Sequence, residues 1–362
     1  MDFYQEKQND GIKRLNPLIK ELPPFAKEFF VGIAERTSVL TRLNYAYDLR
    51  IFFDFLGREI LFKNARAVTL DDLNALTVTD IEAYVHYVDC YEFRDNENSN
   101  GERGKARKLS SARSFFKYYF NKNKLKANVA AKVTLPKLHD KEIVRLDTDE
   151  IARLLDGVES GDGLTKKQKD YHARYYKRDL AMLTLFLGTG IRISECVGLN
   201  IDDIDFRNNA FKVTRKGGNQ AILYFSDEVA DALLEYLDER TENENGSGNT
   251  NKNKSKNEKE NDASEIENAL FLSSQKRRIS ARAVENLVKK YSRIIAPLKK
   301  ITPHKLRSTY GTALYRETND IYVVAEVLGH RDINTTKKHY AAMSDDIRRG
   351  AASKVRLRDN DE

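Results

Sequence analysis

Cysteine is nearly missing from this chain of 362 residues: Cys90 and Cys196 are the only two, they lie far apart, and neither sits in a C-x-x-C or Cys/His spacing. A disulfide framework and a zinc site of the usual spacing are therefore excluded, and reduced thiols in a cytoplasmic setting are expected. Long apolar runs are missing as well. Nowhere do 18 uninterrupted apolar residues occur, and the start Met1-Asp2-Phe3-Tyr4-Gln5-Glu6 lacks a basic segment followed by an apolar one. Neither a membrane span nor a secretory signal is expected. No internal repeat is found.

What is present is charge. Lys and Arg number 62 against 55 Asp and Glu, a net charge of +7. That balance permits a nucleic-acid partner without requiring one. The length suits two domains of roughly 100–200 residues each.

The first 32 residues, with Pro17, Pro23 and Pro24, read as a polar leader. Helical periodicity is expected from near Thr41, with Leu49, Phe52, Phe53 and Leu56 on one face. A second helix is expected to start at Thr79, where Thr79 and Glu82 have capping-box spacing and Ile81, Tyr84, Val85 and Val88 recur on one face. A polar stretch from Asp95 to Arg107 leads to a third helix with Leu109, Ala112, Phe116, Tyr119 and Phe120 as its apolar stripe. The other side of that helix is basic, and Lys108, Arg113 and Lys117 are the candidate phosphate contacts. The segment 133–145 contains Pro136 and no amphipathic period, so it is taken as the interdomain linker.

Beyond it, Thr148 is expected to cap a helix with Ile151, Leu154, Leu155 and Val158, and Leu180 to Leu187 reads as buried helix. Arg192 to Leu199 then follows a Gly-Thr-Gly turn. Ala210 to Thr214 and Ala221 to Phe225 flank a glycine-bearing loop, a hairpin with Lys216 at its tip. A helix from Ser226 runs into 241–262, which has no apolar residue and is expected to be disordered. Ala269 to Leu272 reads as a short strand and Ser280 as the start of another helix. The resulting expectation is a mainly α chain: a leader (1–32), a helical domain (33–132), the linker, a mixed α/β domain with a small three-stranded antiparallel sheet (146–345), and a tail (346–362).

The chemistry lies in that second half. His304 and Arg307 are three apart after Pro303, a residue favoured in a first helical turn, so both project from one helical face. Arg192 and Glu195 are also three apart, which suits the carboxylate to orienting a cation rather than reacting. His330 closes Leu328-Gly329-His330, and Tyr340 is the one tyrosine after Tyr322. Attack on a phosphodiester places negative charge on the non-bridging oxygens, and the arginine fork answers it while staying charged at any working pH. A phenol with an ordinary pKa of about 10 needs cationic surroundings or a base before it attacks. The departing 5′ oxygen needs a proton. Lys216 is the chosen donor, with Lys212 and Arg215 on the same hairpin as alternatives.

Taken together, Thr189-Gly190-Ile191-Arg192-Ile193-Ser194-Glu195, Lys216, His304-Lys305-Leu306-Arg307, Leu328-Gly329-His330 and Tyr340 resemble the tyrosine recombinase family. The resemblance implies the following roles: Arg192 and Arg307 as the two arginines, Lys216 as the acid, His304 and His330 as the two histidines, and Tyr340 as the nucleophile. It further implies that 33–132 is a core-binding, DNA-binding domain and 146–345 the catalytic domain, the two clamping double-stranded DNA, and a homotetramer on a two-duplex synapse. A covalent 3′-phosphotyrosyl intermediate, formed with neither ATP nor metal nor other cofactor, and accessory proteins as further partners belong to the same picture. The segment before Thr41 is read as too short for an arm-type domain, so the architecture looks more Xer-like. His330 and Tyr340 are ten apart, where Xer-like members commonly show nine, the place held here by His339. Two other readings are weighed: a type IB topoisomerase, and a DNA-binding accessory protein that has lost turnover.

Overall fold

The computed structural model describes residues 3–137, 139, 144–215, 218–246, 268–330 and 333, without the side chains of 243–246. The chain divides into two compact units, Met1–Lys141 and Glu142–Glu362.

The first unit opens with helices α1 (Phe3–Glu21) and α2 (Ala26–Gly32), where a polar leader was expected. Leu15, Leu18 and Leu22 of this segment are 3%, 9% and 1% exposed and belong to the unit's core. Pro17 inside α1 disfavours a helix by about 3 kcal/mol. Three buried leucines at ~1.5–3 kcal/mol each outweigh it. Helix α3 (Val39–Phe55) packs on α1, and Ser38 caps it by accepting from the Thr41 N–H at 3.2 Å.

Two further helices, α4 (Leu70–Ala75) and α5 (Val78–Tyr87), each start with a capping box, Thr69 with Asp72 and Thr77 with Asp80. The expected pair Thr79/Glu82 is therefore corrected by two residues. Aspartate serves at the third helical position as well as glutamate does: the Thr77 N–H reaches Asp80 Oδ2 at 2.7 Å. The expected loop from Asp95 to Arg107 is also corrected. Its first part closes an antiparallel hairpin, β1 (Cys90–Phe93) with β2 (Asn96–Ser99), turning through Arg94 and Asp95 at φ 55° and 59°. Its second part is the start of α6 (Glu102–Asn121), followed by the single turn α7 (Val129–Lys132). The core between α2, α3, α5 and α6 is aromatic, with edge-on pairs such as Phe52–Tyr84 at 5.0 Å and Phe53–Phe115 at 5.5 Å.

The second unit is built around α9 (Lys166–Thr189), which packs on α8 (Thr148–Ser160), α11 (Asp227–Gly246) and α13 (Pro303–Thr318). Asp147, not Thr148, caps α8 in a box with Glu150. Buried Leu180, Ala181, Met182, Leu183, Leu185 and Phe186 make α9 the spine of the core. Asp179 on that helix is fully buried and receives Arg178 Nη2 at 2.7 Å, Lys290 Nζ at 3.1 Å and Tyr291 Oη at 3.1 Å. The last two contacts tie α9 to α12 (Ala281–Ile295).

After the single turn α10 (Ile193–Cys196), the strands β3 (Ile204–Asp205), β4 (Ala210–Thr214) and β5 (Gln220–Tyr224) form an antiparallel sheet in that order. The third strand is thus Ile204–Asp205, not the expected Ala269 to Leu272. The latter contributes two isolated bridges, Asn200 to Ala269 and Leu272 to Arg278. Helix α11 continues through Gly246, so the first residues of the expected disordered insert extend a helix already nucleated, where each added residue gains a hydrogen bond at little cost. Residues 247–262 lie outside the described residues. The chain then reaches α14 (Ile321–Leu328). Among the described residues, no helix is long and apolar enough to cross a membrane.

Candidate active site

Helix α14 has one more task than packing, and its C-terminal end explains it. The last turn of any helix leaves carbonyls without partners. Here the chain turns at Gly329, φ 59°, and its N–H donates to Glu326 O while the His330 N–H donates to Ala325 O at 2.9 Å. That C-cap turn leaves the carbonyls of Val327, Leu328 and Gly329. Arginines take all three. Arg192 Nη2 donates to Leu328 O at 3.0 Å and to Gly329 O at 2.9 Å. Arg307 Nη2 donates to the same Leu328 carbonyl. Arg215 Nη2 donates to Val327 O at 3.2 Å. The negative end of a helix dipole thus gathers three guanidiniums that would otherwise repel one another.

Each arginine is placed by local structure. Arg192 caps α10, with its N–H on Glu195 Oε2 at 3.0 Å and its Nη1 on Glu195 Oε1 at 2.8 Å. Glu195 is 3% exposed, so the carboxylate is buried against the arginine it orients. Arg307 sits in the second turn of α13, which Thr302 caps and Pro303 opens. Its Nη1 donates at 2.6 Å to the carbonyl of Gly190, the left-handed residue that ends α9. A side chain at Gly190 would meet Tyr310 Cδ1 at 2.5 Å and Leu328 Cδ2 at 2.9 Å, which explains why no larger residue stands there. Arg307 is buried, whereas Arg192 is 34% exposed and still reaches solvent.

His304 lies one turn before Arg307 on α13 and is exposed, and His330 follows Gly329 and is half-buried. The structure therefore brings Arg192, Arg307 and His330 to one helix end, with His304 on the same helix as Arg307. Lys216 and Tyr340 lie outside the described residues. Of the alternatives for the Lys216 role, Lys212 is exposed and 3.9 Å from Asp203, and Arg215 turns onto α14.

The basic face of α6, in the first unit, needs correction. Lys108 is 4% exposed, its ammonium donating to Asn100 Oδ1 at 2.7 Å and lying over the Tyr91 ring. Arg113 donates to the carbonyls of Ala130 and Val133 and holds the α7 turn. Both cations answer internal acceptors; the sequence signal that a lysine beside Leu109 would be drawn inward was the apolar stripe itself. Lys117 is exposed, and Arg103, Arg107, Ser110 and Lys117 share its solvent-facing stripe, Arg107 being paired with Asp48 at 2.6 Å.

With this geometry in view, similarity to known proteins is decisive. The model of the "Phage integrase family" matches residues 144–346, more than half of the chain. This chain belongs to that family, the tyrosine recombinases. The recombinase is 33% identical over 347 residues to tyrosine recombinase XerC of Caldanaerobacter subterraneus subsp. tengcongensis, covering 92% of this chain and 86% of that one. It is 29% identical over 318 residues to tyrosine recombinase XerD of Corynebacterium glutamicum, covering 88% and 92%. In fold it resembles XerH site-specific recombinase, solved bound to a palindromic difH substrate, with a TM-score of 0.62 at 16% identity over 88% of this chain and 81% of that one. The recombinase fold thus extends over both units.

Proposed function

We propose that this recombinase breaks and rejoins double-stranded DNA at specific sites, working in the cytoplasm as a homotetramer on two paired duplexes. The observation that carries the reading is the sharing of the Leu328 carbonyl by Arg192 and Arg307, which come from distant parts of the second unit's sequence. Two guanidiniums held that close form a fixed cationic cradle for the scissile phosphate. The Tyr340 oxygen attacks phosphorus, the P–O bond to the 5′ oxygen breaks, and that oxygen takes a proton from Lys216. The phenolic proton passes to a base, for which His304 and His330 are the candidates. The reverse attack by a 5′ hydroxyl reseals the strand. One phosphoester replaces another at each step, so the bond energy is retained and ATP has no role to play. On the first unit, Arg103 and Lys117 are the proposed phosphate contacts; Lys108 and Arg113 support the fold.

The test is a nicked duplex that traps the covalent adduct, prepared from DNA fragments that the wild-type protein captures. Wild type should form a protein–DNA adduct and Tyr340→Phe none. An adduct surviving in Tyr340→Phe would remove the nucleophile from this role, with His339 the next candidate. No adduct from wild type would favour the accessory DNA-binding reading, and relaxation of a single supercoiled duplex without exchange between paired sites would favour a type IB topoisomerase.

A further inference from the structure

Among the described residues, Arg215 is the arginine at the α14 end that the recombinase reading gives no task. It leaves the sheet at the end of β4, where its N–H donates to Asn219 O at 2.7 Å, and its side chain crosses to α14. There its guanidinium lies on Gly329: a Cβ at that glycine would fall 2.0 Å from Arg215 Nη1 and 2.4 Å from Cζ. Its Nε is buried and has no hydrogen-bond partner among the described residues. A guanidinium lodged so closely, with its Nη2 on Val327 O and one buried donor left unsatisfied, is held at a cost that its position must justify. The place it occupies is next to the carbonyls that hold Arg192 and Arg307, and one residue before His330.

We propose that Arg215 is a positioning residue of the recombination reaction: by clamping Val327 and Gly329 at the end of α14, it sets the carbonyls of Leu328 and Gly329 that aim Arg192 and Arg307 at the scissile phosphate. The inference rests on the proposed function. Without Arg215, Val327 O loses its partner and the C-cap turn its lid. The two remaining guanidiniums then follow a helix end that is free to shift. A misplacement on the order of 1 Å costs up to about 100-fold in rate.

The test compares substrates, so that partial misfolding cancels in a ratio. Arg215→Met keeps the apolar stem and loses the guanidinium that packs on Gly329; Arg215→Lys keeps a charge and its donors without the planar fork. Adduct formation is timed on the captured site made with an ordinary scissile phosphate and with a methylphosphonate, which carries no negative charge for the arginines to balance. Arg192→Ala is the reference for losing that balance directly. Arg215→Met should be slowed ~10- to 100-fold on the phosphate and stay within about threefold of wild type on the methylphosphonate, with Arg215→Lys between. An equal deficit on both substrates, or none on either, overturns the proposal. Recovery on a bridging 5′-sulfur substrate instead, whose thiolate leaves unprotonated, also overturns it, because Arg215 would then act through the leaving-group acid. Failure of wild type to form any adduct, or of Arg192→Ala to recover on the methylphosphonate, would sink the proposed function itself.

Discussion

Gly190→Ala separates backbone strain from crowding at the place where the site is assembled. Gly190 has φ 62°, and an added Cβ would lie 2.5 Å from Tyr310 Cδ1 and 2.9 Å from Leu328 Cδ2. The left-handed conformation costs an alanine about 1–2 kcal/mol, and forcing a methyl into packed surroundings costs about 1–3 kcal/mol more. The expected loss is therefore ~2–5 kcal/mol, or roughly 2–4 °C in Tm per kcal/mol for a unit of this size. Gly218→Ala supplies the control. Gly218 has φ 82° and, among the described residues, nothing within 4 Å of the added Cβ, so only the conformational part should appear. Urea denaturation of wild type and both variants measures the difference. Equal losses would refute the crowding argument. The clash also has a direction: it presses Leu328, whose carbonyl both arginines share, and tilts the Gly190 carbonyl that Arg307 grips. Adduct formation by Gly190→Ala, measured where it is still folded, should fall on the order of 100-fold. A variant that is destabilised as expected yet cleaves at the wild-type rate would show that the shared carbonyl does not set the arginines.

Three other outcomes are expected. Arg103→Gln with Lys117→Gln should weaken DNA binding and lower the slope of log K against log salt by about 2, since each phosphate contact contributes ~0.9; Lys108→Met should leave that slope unchanged and instead destabilise the first unit, seen by denaturation. The Asp72 carboxyl is held below its ordinary pKa of 3.8, first by the hydrogen bond from Lys63 and then by those from Thr69. Its contribution is in force above the unfolded pKa and is lost as pH falls through the lower folded value, so Asp72→Asn should be less stable than wild type at neutral pH and approach it below pH ~4 in thermal melts. Cys90 is exposed, whereas Cys196 is buried and burial pushes its thiol pKa up, so a thiol reagent should modify one cysteine in the native protein and both after unfolding.

Much was readable from local pattern. The hairpin of β4 and β5, the Ser280 cap and the Thr302-Pro303 start of α13 follow from residue types acting on their immediate neighbours. Where the sequence reading failed, a distant partner had changed the outcome. Pro17 looked like a helix breaker until Leu15, Leu18 and Leu22 entered a core made with α3. Lys108 looked like a surface cation until Asn100 and Tyr91 enclosed it.

The sequence by itself determined which groups this recombinase possesses: two arginines, two histidines, a lysine and a tyrosine in a recognisable order, because chain order and residue type are local properties. Only the tertiary structure decided that Arg192, Arg215 and Arg307 meet on three consecutive carbonyls at the C-terminal end of α14. A backbone carbonyl is the same group at every residue, so no letter in the sequence marks the ones that a folded helix end leaves open for an arginine from far along the chain.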